Sequence, residues 1–145
     1  MFQFFKKKKI PQPIIKCNTD IITIDDKIIS FPTNYSTLID ILGTPTRELT
    51  KSNNYMIWDT KGVLCSYTDK DAILSINIYQ NKQDKTEYNT KNQFLGKLFL
   101  EDEEITHNEF GKISLGNVAI HRLGSENSIR EGFSIGINKN YSIKL

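Results

Sequence analysis

Apolar and polar residues alternate over short stretches along much of this chain, and a period of two marks half-buried strands. Ile22-Thr23-Ile24 and Ile28-Ile29-Ser30-Phe31 flank Asp25-Asp26-Lys27, which predicts a β-hairpin. Pro32 has no N–H to give a ladder and ends the second strand. The period then changes. Leu38, Ile41 and Leu42 fall on one helical face, Asn34 or Ser36 can cap its start, Gly43 suits its C-terminal cap and Pro45 forbids continuation. A helix of about two turns cannot stand alone, so it is expected to pack on a sheet. Strands follow at Tyr55–Trp58, Val63–Tyr67 and Ile73–Tyr79, joined by polar turns at 59–62 and 68–71. Alternation in the third places Leu74, Ile76 and Ile78 on one face.

After a polar stretch from Asn81 to Asn92 the pattern restarts. Leu98–Thr106 parallels Ile22–Ser30, and Ser134–Asn140 echoes Ser75–Asn81. Between them, Thr106-His107-Asn108-Glu109 has capping-box form and predicts a short helix that Gly111 weakens and Gly116 ends. Strands are expected at Val118–Arg122 and Gly132–Ile137, with Gly132 and Gly136 marking bulges or a close backbone approach. The expected class is α+β, an antiparallel sheet with short helices packed on one face, with the marks of a degenerate two-fold repeat of helix plus meander. Four parts are expected: a basic flexible tail at 1–13, a first α+β lobe at 14–81, a polar linker at 82–93, and a second lobe at 94–145 packed with the first. The alternative is one mixed domain without symmetry, because hairpins rich in Ile, Lys and Asn resemble one another by composition.

The stretch from Leu38 to Tyr79 carries a resemblance. Leu38-Ile39, Ile41-Leu42-Gly43 and Pro45, a variable loop, then Tyr55, Ile57-Trp58-Asp59 and Gly62-Val63 with a terminal strand resemble an uncharacterised bacterial domain of low-GC genomes. More distantly, the unit is similar to the helix–Leu-Gly-x-Pro–sheet unit of SmpA/OmlA outer-membrane lipoproteins and β-lactamase-inhibitor proteins. The resemblance implies a helix-and-sheet layer that binds proteins and does no chemistry. The chain departs from the lipoproteins in lacking their lipidated N-terminal cysteine and export signal.

Composition narrows the classes. The chain is 38% hydrophobic and 25% charged over 145 residues, within the globular range. No apolar run approaches the ~20 residues of a membrane helix, and two cysteines are too few for a disulfide framework or a four-ligand zinc site. The net charge of +2 hides an asymmetry: residues 1–16 hold five of the 19 basic residues and no acid, leaving 14 basic against 17 acidic residues beyond. The body is therefore acidic, and with three arginines (Arg47, Arg122, Arg130) it is poorly provided for phosphate, which argues against nucleic acid. The order of Phe2, Phe4 and Phe5 before Lys6, Lys7, Lys8 and Lys9 is the reverse of a signal peptide, so a cytoplasmic protein is expected.

Catalytic, cofactor and metal sites are expected to be absent. Cys65 lies mid-strand and Cys17 near the tail; His107 and His121 are the two imidazoles, neither in a motif of known mechanics. The run Glu101-Asp102-Glu103-Glu104 lacks the calcium-loop pattern and reads as a solvated hairpin turn or an electrostatic contact for a basic partner. Trp58 and Tyr55 read as a core lid or as anchors for a partner. The leading expectation is a non-enzymatic binding protein that contacts its partner through Trp58, Tyr55, Glu101, Asp102, Glu103 and Glu104, of the kind that neutralises a cognate interbacterial toxin encoded nearby. The alternative is a peripheral membrane or envelope-associated module using Phe2, Phe4, Phe5 and Lys6 to Lys9 on an anionic surface.

Overall fold

A computed structural model describes residues 11–79, 90–105, 111–123 and 132–138. Among them the chain is mostly β-sheet, with one helix and largely antiparallel pairing. A five-stranded sheet has the order β3 (Lys27–Ile29), β2 (Ile21–Ile24), β1 (Ile14–Asn18), β8 (Lys97–Leu100), β9 (Glu103–Glu104). A seven-stranded sheet has the order β10 (Lys112–Leu115), β11 (Val118–Leu123), β12 (Gly132–Ile137), β7 (Ser75–Tyr79), β6 (Val63–Tyr67), β5 (Asn54–Trp58), β4 (Arg47–Thr50).

Alternation decides which residues face inward. Ile15, Cys17, Ile22, Ile24, Leu98 and Leu100 of the first sheet join Met56, Trp58, Val63, Cys65, Ile76, Ile78, Ile120 and Ile135 of the second in one buried cluster. The helix α1 (Tyr35–Leu42) adds Leu38 and Leu42, with Ile41 partly buried against them. Asn34 caps its start, its Oδ1 accepting from the Thr37 N–H at 2.8 Å, and Gly43 ends it at φ 87°. Asn34 is one of the two N-caps the sequence offers, Ser36 being the other, and Gly43 is the expected C-cap.

The two hairpins read as equivalent, β2–β3 and β8–β9, lie in the same sheet on either side of β1. Both turn through two residues at positive φ, Asp25-Asp26 and Glu101-Asp102, and both close on the pair flanking the turn, Ile24 with Lys27 and Leu100 with Glu103. In the other sheet the meander β5–β6–β7 abuts the meander β10–β11–β12, last strand against last strand, with Ile76 directly opposite Ile135.

The expected lobes at 14–81 and 94–145 do not each close on a sheet of their own. β1 pairs parallel with β8 and β7 pairs antiparallel with β12, so both halves build both sheets. Of the tail expected at 1–13, residues 1–10 lie outside the described residues, whereas Gln12 donates to the Thr60 carbonyl at 3.4 Å and Pro13 is buried, its carbonyl accepting the Lys97 N–H at 3.0 Å. No helix follows Gly111: residues 112–115 form β10, because pairing with β11 satisfies their main chain and turns Ile113 and Leu115 toward the core. Leu74 does not share the face of Ile76 and Ile78. It is 43% exposed, because β7 starts one residue later and Ile73 bridges to Thr33 instead. The capping box at 106–109 and the linker at 82–89 fall outside the described residues.

Candidate functional site

Trp58 is 2% exposed and offers nothing to a partner. Its indole N–H donates to the Gly43 carbonyl at 2.8 Å, and the Lys61 ammonium reaches the neighbouring Leu42 carbonyl. The last carbonyls of a helix have no partner within it, and these two side chains from the β5–β6 turn supply one. Asp59, between them, is buried and takes the Arg47 guanidinium through two bonds, Nε to Oδ2 at 2.7 Å and Nη2 to Oδ1 at 3.0 Å. Its Oδ1 also accepts the Lys91 N–H at 2.8 Å, and its own N–H donates to Thr46 Oγ1 at 3.0 Å. Gly62 sits at φ 67°, where a Cβ would lie 2.2 Å from the Phe94 nitrogen.

The stretch from Gly43 to Gly62 is thus a lock that fixes helix, sheet and the 90–94 segment, and its anchor Trp58 belongs to the core. Trp58→Phe is expected to cost about 1–3 kcal/mol by orphaning the Gly43 carbonyl. Partner binding should be unchanged, measured as chemical unfolding alongside capture. Tyr55 is half-buried on the opposite face of β5.

The acidic residues stay at the surface. Glu101, Asp102, Glu103 and Glu104 are exposed at the β8–β9 hairpin, Glu101 Oε1 accepting from Thr19 Oγ1 at 3.3 Å. They border the outer face of the five-stranded sheet, which the sequence reading passed over. One row across that face runs Ile28, Thr23, Lys16, Phe99, Glu104. A second sets Ile21 beside Asn18, and a third sets Ile14 beside Lys97. Ile28 is 70% exposed, Ile21 46% and Ile14 41%, although their chain neighbours Ile29, Ile22 and Ile15 are buried. Between Ile14, Lys16, Asp25, Lys97 and Phe99 the face is hollowed by about 320 Å³. Exposed apolar side chains interleaved with charged ones are the make-up of a protein-docking surface.

The residues weighed for chemistry are not brought together. Cys17 and Cys65 are both in the core, where burial pushes each thiol up to about 12, so both stay protonated and inert. His121 is exposed and Cys65 points inward from β6, so a sheet's thickness separates them. No group of three His, Cys, Asp or Glu is placed to hold a metal among the described residues. None of the described helices is long and apolar enough to cross a membrane. Phe2, Phe4, Phe5, Lys6, Lys7, Lys8, Lys9 and His107 fall outside the described residues.

A family model described as a domain of unknown function, DUF7738, matches residues 14–115. That span takes in the whole five-stranded sheet and stops at the end of β10, short of the centrally placed β12. No curated protein and no solved structure matches the chain.

Proposed function

We propose, for a chain that belongs to the DUF7738 family, a non-enzymatic role as a cytoplasmic bacterial protein-binding domain that neutralises a cognate toxin by occluding it. The observation that carries the reading is the outer face of the five-stranded sheet. Three exposed isoleucines and Phe99 lie around Lys16 on that face, and Glu104 stands at its edge beside Phe99. Glu104 at the edge and the acidic body favour a basic partner, while Lys16 and Lys97 on the same face fix its register, so that electrostatic complementarity would steer and orient it. The strands that carry this face bury their other side in the core, so the surface is preformed and binding orders little chain. We also read the two halves as a degenerate repeat, supported by the matched hairpins around β1 and the matched meanders around Ile76 and Ile135.

The test is co-expression with the polypeptides encoded beside the gene, followed by affinity capture. A stoichiometric complex is expected. Ile28→Asp and Ile21→Asp should weaken it by about tenfold or more, with unfolding midpoints unchanged because both side chains already face water. Glu103→Lys with Glu104→Lys should slow association most at low salt. No stable partner, or capture indifferent to these substitutions, overturns the reading.

A further inference from the structure

β6 and β7 pair in register only at Val63 with Ile78 and Leu64 with Asn77. Past that point their connection is drawn aside. Ile73 exchanges main-chain bonds of 2.7 and 2.8 Å with Thr33, and the Lys70 carbonyl accepts the Tyr35 N–H at 2.8 Å. The strands splay, and a cleft of about 380 Å³ opens between them on the outer face of the seven-stranded sheet. Such a volume falls in the range of ligand sites. Ser66 and Thr68 stand on one wall, Leu74 and Ser75 on the other, with Ser134 and Gly136 alongside.

Neighbouring bonds fix where the main chain points. The Tyr79 N–H donates to the Gly62 carbonyl at 3.1 Å, so even-numbered residues of β6 turn their main-chain groups toward β7. The Ile137 N–H donates to the Leu74 carbonyl at 3.0 Å, so odd-numbered residues of β7 turn theirs toward β6. Ser66 and Ser75 therefore face each other across the cleft, one rung beyond the last registered pair, Leu64 with Asn77.

The cleft is kept open by small residues. Where the first meander carries Leu64 and Asn77, the second carries Ala119 and Gly136 at the corresponding places beside the Ile76–Ile135 pair. Gly136 admits no side chain, since a Cβ there would lie 2.2 Å from the Leu74 carbonyl oxygen. None of the described lining residues is Lys, Arg, Asp or Glu. His121 supplies the only imidazole, amine or carboxylate of that described lining, so a strongly charged ligand meets little counter-charge, whereas an uncharged main chain would meet donors and acceptors on both walls.

We propose that this cleft is a second binding site, one that takes an uncharged, extended peptide segment of a partner protein by main-chain hydrogen bonding to Ser66 and Ser75. It lies on the other sheet from the isoleucine face and does not rest on it. The test titrates the isotope-labelled full chain, followed by amide NMR, with acetyl-Thr-Val-Thr-Val-Thr-amide and with the same peptide N-methylated at alternate residues. Saturable shifts and slowed amide exchange at Ser66 and Ser75 are expected, weakened about tenfold or more by N-methylation, which removes donors and leaves the side chains. Ala119→Leu, or Ser134→Leu should the first fail to fold, fills the cleft and should abolish the shifts. Capture through the isoleucine face should persist in either variant, so the two readings fail separately. An absence of saturable shifts at millimolar peptide overturns the proposal. So does equal binding of the N-methylated peptide, or a stronger response to N-acetylglucosamine.

Discussion

Replacing Arg47 by Ala is expected to cost about 3–5 kcal/mol, the penalty of leaving a buried carboxylate without its counter-charge. The Asp59 side chain is 4% exposed, against 22% for Arg47, so the acid cannot turn to water when the guanidinium is gone. Asp59→Ala should cost less, because Arg47 can reach solvent, though it also frees the Lys91 N–H that ties down the 90–94 segment. The double variant should cost less than the two single variants together, the mark of a coupled pair. Urea unfolding at neutral pH reads all three. The acid limb gives an independent check. Burial by itself would raise the Asp59 carboxyl, but the hydrogen bonds from Arg47, the Lys91 amide and the Arg47 charge outweigh it and hold the pKa below the usual value. A lowered folded pKa means stability that is present in full above the unfolded value of ~3.9 and lost as pH falls through the folded one. In Arg47→Ala burial acts unopposed by the guanidinium. The gap between parent and variant should therefore narrow as pH falls, first through the variant's raised carboxyl and then through the parent's lowered one, and a constant gap would show that the pair is not ionised.

The parts of the fold legible in the sequence are those set within a few residues. Asn34, Gly43 and Pro45 mark the helix because capping is local chemistry, and the two-residue turns follow from short polar gaps between apolar stretches. Pairings between distant segments were not legible. Ile14–Asn18 falls in the first lobe without a strand signal because its partner β8 begins far along the chain at Lys97. Lys112–Leu115 follows a helix signal, yet β11 offers a ladder and the ladder prevails, since tertiary pairing overrides weak propensity.

The same distinction governs the candidate site. Trp58 looks like an anchor until the helix terminus it caps is placed beside it. The exposed face did have a signal in the doublets Ile14-Ile15, Ile21-Ile22 and Ile28-Ile29. A strand of period two cannot bury both members of such a doublet on one core. Once 14–18, 21–24 and 27–29 are strands of one sheet, three isoleucines must point outward. Nothing in that geometry requires them to be apolar for folding, which is why the docking role is assigned to them and not to Trp58.

Ile76→Ala and Ile135→Ala should each cost about 2–5 kcal/mol, the range for truncating a fully buried aliphatic side chain, against a total near 5–15 kcal/mol for domains of this kind. Both residues are 0% exposed and directly opposed where the two meanders meet. A cavity at either is lined by the other and by strands of both halves, so the loss should appear as one cooperative transition at lower denaturant and not as melting of one half. Because the two side chains face each other, the double variant opens one shared cavity, and its cost should depart from the sum of the single costs. Additive losses with two resolved transitions would mean that the halves fold as separate units. One shifted transition would tie the fold to the pairing of β7 with β12, the contact through which the second meander, though it lies mostly outside residues 14–115, supports the first.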